Sequence, residues 1–567
     1  MKGSDIIYNA IRKYTNSAFI YSGGAIMPLI DKFYKSSFKT YINSNEHCTA
    51  LSTVGYAKST GKPGLCIVTS GPGITNCLTG ITDAYTDSTP MVVLSGQVST
   101  KNLGTQAFQE APAVKMSKSV TKWSYQPRTT GELEKCIHDA FHIALSGKPG
   151  PVHIDLCKDL LVNEAIEYDY DTKIIDKDIE DEVEVNIMDI IEIAEVVNKS
   201  QKPIFILGKG CIECTDLIRD IVAKCNIPVT TTIHGMGIID ETSNLSLKFL
   251  GMHGNYTANK AVQNSDCIIN LGSRFDDRIT GDITKFAKKA KIIHCNIDKN
   301  DINRNVMADY SYVGTVNKFL YNIKPFLDKK DRHEWFSMIW TWKSQHKFNY
   351  KRLSYGSIKQ QDIIIELDKY MDKGNTIVTS GVGNHQMYAS QFIDWTHPRR
   401  FLSSGSLGVM GAGLPYAIGA QIANPTATVI DLDGDGSFNM SLSDLITVAR
   451  YKLPIKMIVL DDACLSMVKV WEDLFYNKRF VATDLPRNIN YCQLAESFDI
   501  KSIYCESRKD IQKSIIKLLK CKEPVLAHFK CETDYCFPLV PPGAGLDEMI
   551  LDTQDIEIPS DINLPPS

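Results

Sequence analysis

The fold is decided by residues 428–437, Thr-Val-Ile-Asp-Leu-Asp-Gly-Asp-Gly-Ser. An apolar run that predicts a buried strand ends here in Gly-Asp-Gly, which places the carboxylate of Asp435 at a tight turn. Main-chain N–H groups of such a turn can face a phosphate. A second apolar run, Ile455–Leu460, ends in Asp461 and Asp462. Because Mg²⁺ prefers oxygen ligands, two such strand ends predict a site for a cation and a diphosphate.

Similar apolar runs recur along the chain and alternate with stretches of helical periodicity. They include residues 65–68, 91–94, 204–207, 267–269 and 291–293, and several of them end directly in Gly or Asp. This alternation predicts parallel α/β layers. Ligands of such sheets bind beyond the carboxyl ends of the strands, so we expect the chemistry at those ends.

The chain of 567 residues is too long for one hydrophobic core and predicts three or four domains. We interpret the acidic stretch 167–184 and the charged, aromatic stretch 328–355 as linkers, and the polar tail after Asp552 as loose. The predicted domains are therefore residues 1–166, 185–328 and 356–550. The predicted class is α/β, with three doubly wound parallel-sheet domains.

Composition excludes several classes of partner. The net charge is −4, which gives neither a basic field for nucleic acid nor a polybasic membrane patch. No run approaches the roughly 18 apolar residues of a membrane helix. The start of the chain shows neither a signal peptide nor a transit peptide, so we predict a cytoplasmic protein, or one made inside the compartment where it works. The 16 cysteines are scattered, which is typical of buried free thiols in a reducing compartment.

The Gly-Asp-Gly turn and the second strand end resemble the signature of thiamine diphosphate enzymes. In that family an Asn pair stands where this chain has Asp461 and Asp462. The resemblance implies that Mg²⁺ is bound by the side chains of Asp435 and Asp462 and by the main-chain carbonyl of Cys464. Asp462 keeps an oxygen ligand but adds a negative charge beside an anionic cofactor. Ser466 stands where the family usually has Gly.

Glu46 follows a short β-like run, and such a residue alone is usually a surface carboxylate. Its surroundings match the family's glutamate, which hydrogen-bonds a ring nitrogen of the aminopyrimidine and thereby helps to make the thiazolium carbon nucleophilic. The matching stretches are residues 21–25, which contain Gly24, and Ser-Gly-Pro-Gly-Ile-Thr-Asn at 70–76, which contains Pro72 and Asn76.

Further matches lie in the loops that would bind the diphosphate. They are residues 381–387 and the Gly-rich run 405–411. The resemblance implies that Met410 is an apolar wedge that bends the cofactor. The other residues implied in cofactor binding are Gln109, Val382, Gly383, Asn384, His385, Gly408, Gly436, Ser437 and Met467.

Other stretches are specific to acetolactate (acetohydroxyacid) synthase, and the resemblance covers about residues 4–550. Residues 104–110 resemble the part of that family that lines the pyruvate pocket with Phe108 and Gln109. Lys158 and Trp471 match residues of the access channel. Arg278, in Arg-Phe-Asp-Asp-Arg at 274–278, matches the arginine that receives the second ketoacid, since a guanidinium can hold a carboxylate by two parallel hydrogen bonds.

The same resemblance implies that the middle domain binds FAD in a structural role. Lys209 replaces a family Gly, and Asn296 replaces a family Asp. The residues implied in flavin binding are Gly208, Gly210, Thr232, Met252, His253, Gly272, Arg274, Asp277, Asn296 and Ile297.

The implied reaction joins pyruvate, with loss of CO₂, to a second pyruvate or to 2-ketobutyrate. The resemblance implies a homodimer or homotetramer in which Glu46 of one subunit faces the Asp435 site of another, and it leaves room for a small regulatory subunit. Two alternatives stay open at this point: another thiamine diphosphate-dependent decarboxylase or oxidase, and a non-catalytic paralogue suggested by Asp462, Ser466 and Asn296.

Overall fold

A computed structural model of the chain describes residues 1–165, 186–352 and 356–553. These residues form three separate sheets, and every paired strand in them runs parallel to its neighbour. The predicted α/β class with three parallel-sheet domains is confirmed. Among the described residues, no helix combines the length and the apolar character needed to cross a membrane.

The N-terminal sheet has the strand order β2-β1-β3-β4-β6-β5. Its strands are β1 Ser17–Ile20, β2 Lys39–Ile42, β3 Gly64–Val68, β4 Met91–Gln97, β5 Trp123–Tyr125 and β6 Pro151–Cys157. Its helices are α1 Gly3–Ile11, α2 Met27–Ile30, α3 Glu46–Thr60, α4 Pro72–Thr86, α5 Ala113–Ser117, α6 Leu133–Leu145 and α7 Lys158–Val162.

The middle sheet has the order β12-β11-β10-β7-β8-β9. Its strands are β7 Pro203–Leu207, β8 Val229–Thr231, β9 Ser246–Phe249, β10 Cys267–Leu271, β11 Lys291–Asn296 and β12 Tyr310–Val313. The helices of this region are α8 Ile187–Lys199, α9 Thr215–Cys225, α10 Tyr256–Asn264, α11 Asp277–Thr280, α12 Val316–Ile323 and α13 His333–Gln345.

The C-terminal sheet has the order β13-β19-β17-β16-β14-β15, and β18 also pairs with β19. Its strands are β13 Ile358–Lys359, β14 Thr376–Ser380, β15 Phe401–Ser403, β16 Thr428–Gly434, β17 Lys456–Asp461, β18 Lys501–Cys505 and β19 Val525–Glu532. Its helices are α14 Gln360–Tyr370, α15 Asn384–Phe392, α16 Gly413–Ala423, α17 Asp435–Phe438, α18 Leu445–Tyr451, α19 Ser466–Phe475, α20 Tyr491–Glu496 and α21 Ile511–Lys520.

The N-terminal and C-terminal domains share one apolar core, in which α3 packs directly against α16. The two helices approach closely because each presents a glycine at the contact. A Cβ atom on Gly55 would lie 2.4 Å from the carbonyl oxygen of Tyr416, and one on Gly419 would lie 1.9 Å from that of Ser52. This packing fixes the start of α3, and therefore Glu46, relative to the C-terminal sheet.

The stretch 328–355, which we interpreted as a linker, contains the helix α13. Trp335 and Ile339 of this helix are buried in the core of the middle domain, and Trp335 Nε1 donates a 3.1 Å hydrogen bond to the carbonyl of Pro203. The aromatic residues of this stretch are therefore core residues, and we propose that α13 belongs to the middle domain. The other predicted linker, 167–184, and the tail from residue 554 lie outside the described residues.

Candidate active site

A cavity lies beyond the carboxyl ends of β14, β16 and β17, at the sheet edge where the sequence predicts the chemistry. It brings together predicted residues that are spread over more than 80 positions of the chain. The residues that line it are Gln360, Val382, Gly383, Asn384, His385, Met410, Gly434, Asp435, Gly436, Ser437, Asp462, Cys464, Leu465, Ser466, Met467 and Val468.

Helices α15 and α19 begin at this cavity, and the Gly-Asp-Gly turn lies between them. The residues before the two helices, Gly383 and Leu465, provide no side-chain hydrogen bond to the first N–H groups. Free N–H groups and the helix dipole make such ends binding sites for anions. The arrangement therefore fits a diphosphate.

Asp435 and Asp462 place two carboxylates in this cavity, and both side chains are buried. Burial, together with the charge of Asp462, raises the pKa of Asp435 to about 8. Two neighbouring buried carboxylates favour a divalent cation between them and an anionic ligand. Among the described residues, no group of three or more His, Cys, Asp or Glu side chains is placed so that it could hold a metal ion by itself. The site thus fits a cation such as Mg²⁺ that takes its other ligands from phosphate.

Only the second residue of the strand-end aspartate pair lines the cavity. Asp461 is the last residue of β17, and its carboxylate accepts hydrogen bonds of 2.8 Å from His528 Nε2 and from Lys530 Nζ. Successive side chains of a strand point to opposite faces. Asp461 therefore binds His528 and Lys530 within the protein, whereas Asp462 lines the cavity.

Asp462 has close polar neighbours that the sequence did not indicate. Ser466 Oγ donates a hydrogen bond to Asp462 Oδ2, and Gln360 Nε2 donates a second one to the same oxygen over 3.2 Å. Gln360 is the first residue of α14 and belongs to no recognisable motif. No local signal could have identified it, because its contact with Asp462 is made only in the folded chain.

Met410 lies at the end of a loop that is held by serine hydroxyls. Ser404 Oγ accepts the N–H groups of Gly408 and Val409, each at 3.0 Å. Ser437 Oγ accepts the N–H of Gly411 at 2.8 Å. Because these bonds lie on both sides of Met410, they fix the main chain that presents its side chain to the cavity.

The same loop is anchored to the N-terminal domain by two buried aspartates. Ser404 Oγ donates to Asp83 Oδ1 at 2.5 Å, and the N–H groups of Gly405 and Ser406 donate to Asp87. Lys58 Nζ also donates to Asp87 Oδ2, at 2.6 Å. Burial alone would raise the pKa of Asp87, but the charges of His234 and Lys58 outweigh it and hold this pKa well below its ordinary value.

Glu46 and Asn76, two predicted residues of the N-terminal domain, are in direct contact. Glu46 is the first residue of α3, and the side chain of Asn45 caps this helix by accepting the N–H of Cys48. Asn76, in the second turn of α4, donates from Nδ2 to Glu46 Oε2 at 2.9 Å. No cavity-lining residue comes from segment 1–165.

The other predicted residues of the N-terminal domain lie either near the segment of Pro72 and Asn76 or on the surface of the domain. Gln109 adjoins the turn before Pro72, since a Cβ on Gly71 would lie 3.1 Å from Gln109 Cβ. The neighbouring Phe108 is 88% exposed. A Cβ on Gly24 would meet no atom within 4 Å. Lys158, the first residue of α7, is also exposed.

Arg278, Met252 and Trp471 come together between the middle and C-terminal domains. Arg278 Nη1 lies 3.4 Å from Met252 Sδ, and Met252 packs in the same small apolar cluster as Trp471. Trp471 follows Met467 and Val468 by about one turn of α19. The predicted acceptor arginine is therefore linked along α19 to the cavity.

The residues predicted to bind a flavin gather at one edge of the middle sheet. They occupy the carboxyl ends of five neighbouring strands: Gly208 and Gly210 after β7, Thr232 after β8, Met252 and His253 after β9, Gly272, Arg274 and Asp277 after β10, and Asn296 and Ile297 at the end of β11. This edge is where parallel sheets bind dinucleotides, so the placement fits FAD.

Several of these side chains also contact protein groups. His253 Nδ1 lies 3.0 Å from the carbonyl oxygen of Cys536, and burial lowers the pKa of His253 to about 4. Asn296 uses both side-chain atoms, donating to the carbonyl of Ser273 and accepting the N–H of Asp298.

Lys209, at the position where the resemblance expects Gly, joins the middle domain to the N-terminal domain. Its Nζ donates to the carbonyl oxygens of Asp87 and Ser88 and to Thr89 Oγ1. Burial and the charge of Lys58 lower the pKa of Lys209 to about 7. The side-chain nitrogen of Lys209 therefore binds residues of the N-terminal domain and holds it against the middle domain.

Three protein-family profiles match the chain in order. They are described as the N-terminal TPP binding domain, the central domain and the C-terminal TPP binding domain of thiamine pyrophosphate enzymes, and they match residues 1–116, 190–323 and 381–529. These spans contain the Glu46 region, the flavin edge and every lining residue of the cavity except Gln360 respectively.

Named relatives extend the similarity over nearly the whole chain. The mitochondrial acetolactate synthase of Schizosaccharomyces pombe is 38% identical over 97% of this chain and 86% of its own length. The mitochondrial catalytic subunit of Saccharomyces cerevisiae is also 38% identical, over 96% of this chain and 83% of its own length. The acetolactate synthase isozyme 2 large subunit of Escherichia coli is 36% identical over 97% of this chain and 99% of its own length. The chain therefore belongs to the acetolactate synthase catalytic subunits of the thiamine diphosphate enzyme family.

Proposed function

We propose that this protein condenses pyruvate with a second 2-ketoacid, with loss of CO₂, to form 2-acetolactate or 2-aceto-2-hydroxybutyrate. One arrangement carries the proposal. The groups that fit a diphosphate and a cation line one cavity, and α19 connects this cavity to Arg278. A decarboxylase or oxidase needs only the groups that hold the cofactor and the cation. A carboligase also needs a group that receives a second ketoacid, and Arg278 fits this task.

When bound, thiamine diphosphate supplies the nucleophilic carbon that attacks the ketoacid carbonyl. The residues of the chain hold and orient it. The N–H groups at the starts of α15 and α19 would hold the diphosphate, and Asp435, Asp462 and the Cys464 carbonyl would hold Mg²⁺. Glu46 would hold a proton at its carboxyl group, against the pyrimidine ring, and Asn76 fixes the direction of that carboxyl group.

Arg278 is suited to the acceptor ketoacid. Its side chain is 61% exposed, and its only carboxylate neighbour among the described ion pairs is Asp277, 3.9 Å away. Its guanidinium can therefore form two parallel hydrogen bonds with the carboxylate of an incoming ketoacid. Met252 lies beside it, and Trp471 packs in the same apolar cluster as Met252, so apolar side chains border the place proposed for the acceptor.

We also propose a homodimer or homotetramer in which each site uses two copies of the chain. Two observations support this arrangement. The cavity is lined only from residues 360–468, so Glu46 would have to come from a second copy. Phe108, beside Gln109, is exposed as a large aromatic side chain, as expected of a surface that a second copy covers.

FAD in a structural role is a further part of the proposal, supported by the ten predicted residues at one edge of the middle sheet. The names of the relatives, which include "catalytic subunit" and "large subunit", support a small regulatory partner. The compartment stays a prediction, because some relatives are named as mitochondrial or chloroplastic.

Product analysis tests the proposed reaction. The purified chain is incubated with pyruvate, thiamine diphosphate, Mg²⁺ and FAD, and the products are separated and quantified. We expect acetolactate as the main product. Acetaldehyde or acetate without acetolactate would identify a decarboxylase or an oxidase, and no turnover with bound cofactor would favour the non-catalytic paralogue.

A further inference from the structure

One oxygen of Asp462 accepts two hydrogen bonds inside the cavity. Ser466 Oγ donates to Oδ2 from the first residue of α19, and Gln360 Nε2 donates to Oδ2 over 3.2 Å from the first residue of α14. All three residues are buried: Ser466 is 8% exposed, Gln360 is 4% exposed and Asp462 is 5% exposed. The contact therefore joins two distant segments of the chain, the start of α14 and residues 462–466, in a place that water hardly reaches.

The other oxygen of Asp462, Oδ1, has different neighbours. Oδ1 accepts the thiol of Cys464 at 3.6 Å, and the main-chain N–H of Cys464 also interacts with the carboxylate of Asp462. A thiol is a weak donor, and a carboxylate oxygen has two lone pairs, so Oδ1 keeps a lone pair for a cation. The two oxygens of the carboxylate, which are chemically equal, are thus made unequal by their neighbours.

This inequality matters because of the residue type. An asparagine has one oxygen and one NH₂ group, so only one of its atoms can bind a cation. Asp462 has two equal oxygens and a full charge, and it lies beside groups that fit an anionic diphosphate. Mg²⁺ demands near-ideal octahedral geometry, which a carboxylate that changes between one-oxygen and two-oxygen binding disturbs.

We propose that Gln360 and Ser466 are cation-positioning residues of this site. They hold Oδ2 away from the cation, keep Asp462 as a one-oxygen ligand through Oδ1, and offset the additional charge beside the diphosphate. The proposal rests on the proposed function and deepens it. It also connects two of the departures of this region from the family pattern, Asp462 and Ser466, as parts of one contact.

Binding of Mn²⁺ tests the proposal without a measurement of turnover. The full-length protein is titrated with Mn²⁺ at saturating thiamine diphosphate, and free Mn²⁺ is followed by its electron paramagnetic resonance signal. Loss of a hydrogen bond to a charged group weakens binding by about tenfold or more. We expect Gln360→Leu and Ser466→Ala each to raise the dissociation constant of Mn²⁺ by about that factor.

The neighbouring residue provides a matched control. Gln361 is 1% exposed and donates Nε2 to Asp534 Oδ2 at 2.9 Å, but it does not line the cavity. Ser390 is a buried serine whose Oγ donates to the carbonyl of Gln386. We expect Gln361→Leu and Ser390→Ala to lower thermal stability while the affinity for Mn²⁺ stays as in the wild type.

The Asp462→Asn background shows whether Gln360 acts through Asp462. An NH₂ group in place of Oδ2 cannot accept the hydrogen bond of Gln360, so Gln360→Leu should lose most of its effect on Mn²⁺ affinity in this background. Equal Mn²⁺ affinity of Gln360→Leu and the wild type, or equal weakening by Gln361→Leu, would overturn the proposal. Failure of the wild type to bind Mn²⁺ with thiamine diphosphate would instead overturn the proposed function on which it rests.

Discussion

Asn76 Nδ2 donates a 2.9 Å hydrogen bond to Glu46 Oε2, and this contact connects α4 to the first residue of α3. It leaves the other carboxyl oxygen of Glu46 for a ligand. The orientation of the group that we propose to hold the catalytic proton is therefore set by one neutral amide.

Replacement of Asn76 tests the importance of this orientation. Asn76→Ala removes the donor while Glu46 and its helix cap stay intact, so we expect kcat to fall by about tenfold, as for the loss of one hydrogen bond to a charged group. The affinity for thiamine diphosphate should change much less than kcat. Asn9→Ala, on the exposed surface, is the control and should leave kcat unchanged.

Mixed oligomers test the prediction that each site uses two chains. Glu46→Gln and Asp435→Asn subunits should each be nearly inactive alone, because every site of either homodimer lacks one group. Co-expression should restore activity to about a quarter of the wild type, since random pairing makes half of the dimers mixed and one site of each mixed dimer intact. If the mixture stays as inactive as its parents, both groups act within one chain.

The ion pair of Lys58 and Asp87 is buried in the N-terminal domain, with Lys58 Nζ 2.6 Å from Asp87 Oδ2, and it lies where the loop 403–406 of the C-terminal domain contacts both residues. Lys58→Met leaves the charge of Asp87 buried without this partner. We expect the free energy of unfolding, measured with urea, to fall by about 3–5 kcal/mol. Lys199→Ala removes an exposed ion pair with Glu195 and should have no measurable effect. Equal effects of the two changes would contradict this account of the junction.

Glu241 should make stability depend on pH. Its side chain is buried between the middle domain and Trp395, and burial raises its pKa from the ordinary 4.5 to about 8. Between these values the folded chain holds a proton that the unfolded chain releases. The contribution of protonated Glu241 to the free energy of unfolding is therefore complete below pH 4.5, and it is lost as pH rises through about 8. A shift of this size corresponds to about 5 kcal/mol.

Thermal unfolding of the wild type and of Glu241→Gln, measured between pH 5 and 9, checks this prediction. Glutamine stays neutral, so the variant should lose less stability than the wild type as pH rises. Parallel curves for the two proteins would show that Glu241 does not carry the effect.

The parts of the site that follow strands could be predicted from the sequence. The Gly-Asp-Gly turn is a local pattern, and the parallel sheet brings the end of β17 beside it, so Asp435 and Asp462 were expected at one edge. Glu46 and Asn76 were expected through their motifs, and the structure places them in contact.

Contacts between distant segments could not be predicted. Gln360 reaches Asp462 across 102 positions, and Asp83 reaches Ser404 across 321, and neither Gln360 nor Asp83 belongs to a motif. The helix α13 was missed for another reason. Its charged residues suggested a linker, but Trp335 and Ile339 lie one turn apart on its buried face. Packing against the middle sheet therefore decides the structure of this stretch.

Exchange of the thiazolium C2 proton of bound thiamine diphosphate with solvent deuterium, followed by NMR in the wild type and in Glu46→Gln, tests the central claim most directly. Since glutamine keeps the shape of Glu46 but not its titratable proton, we expect the exchange rate to fall by about 100-fold or more while the cofactor stays bound. Equal exchange rates in the two proteins would contradict the role of Glu46 and the account of the site built on it.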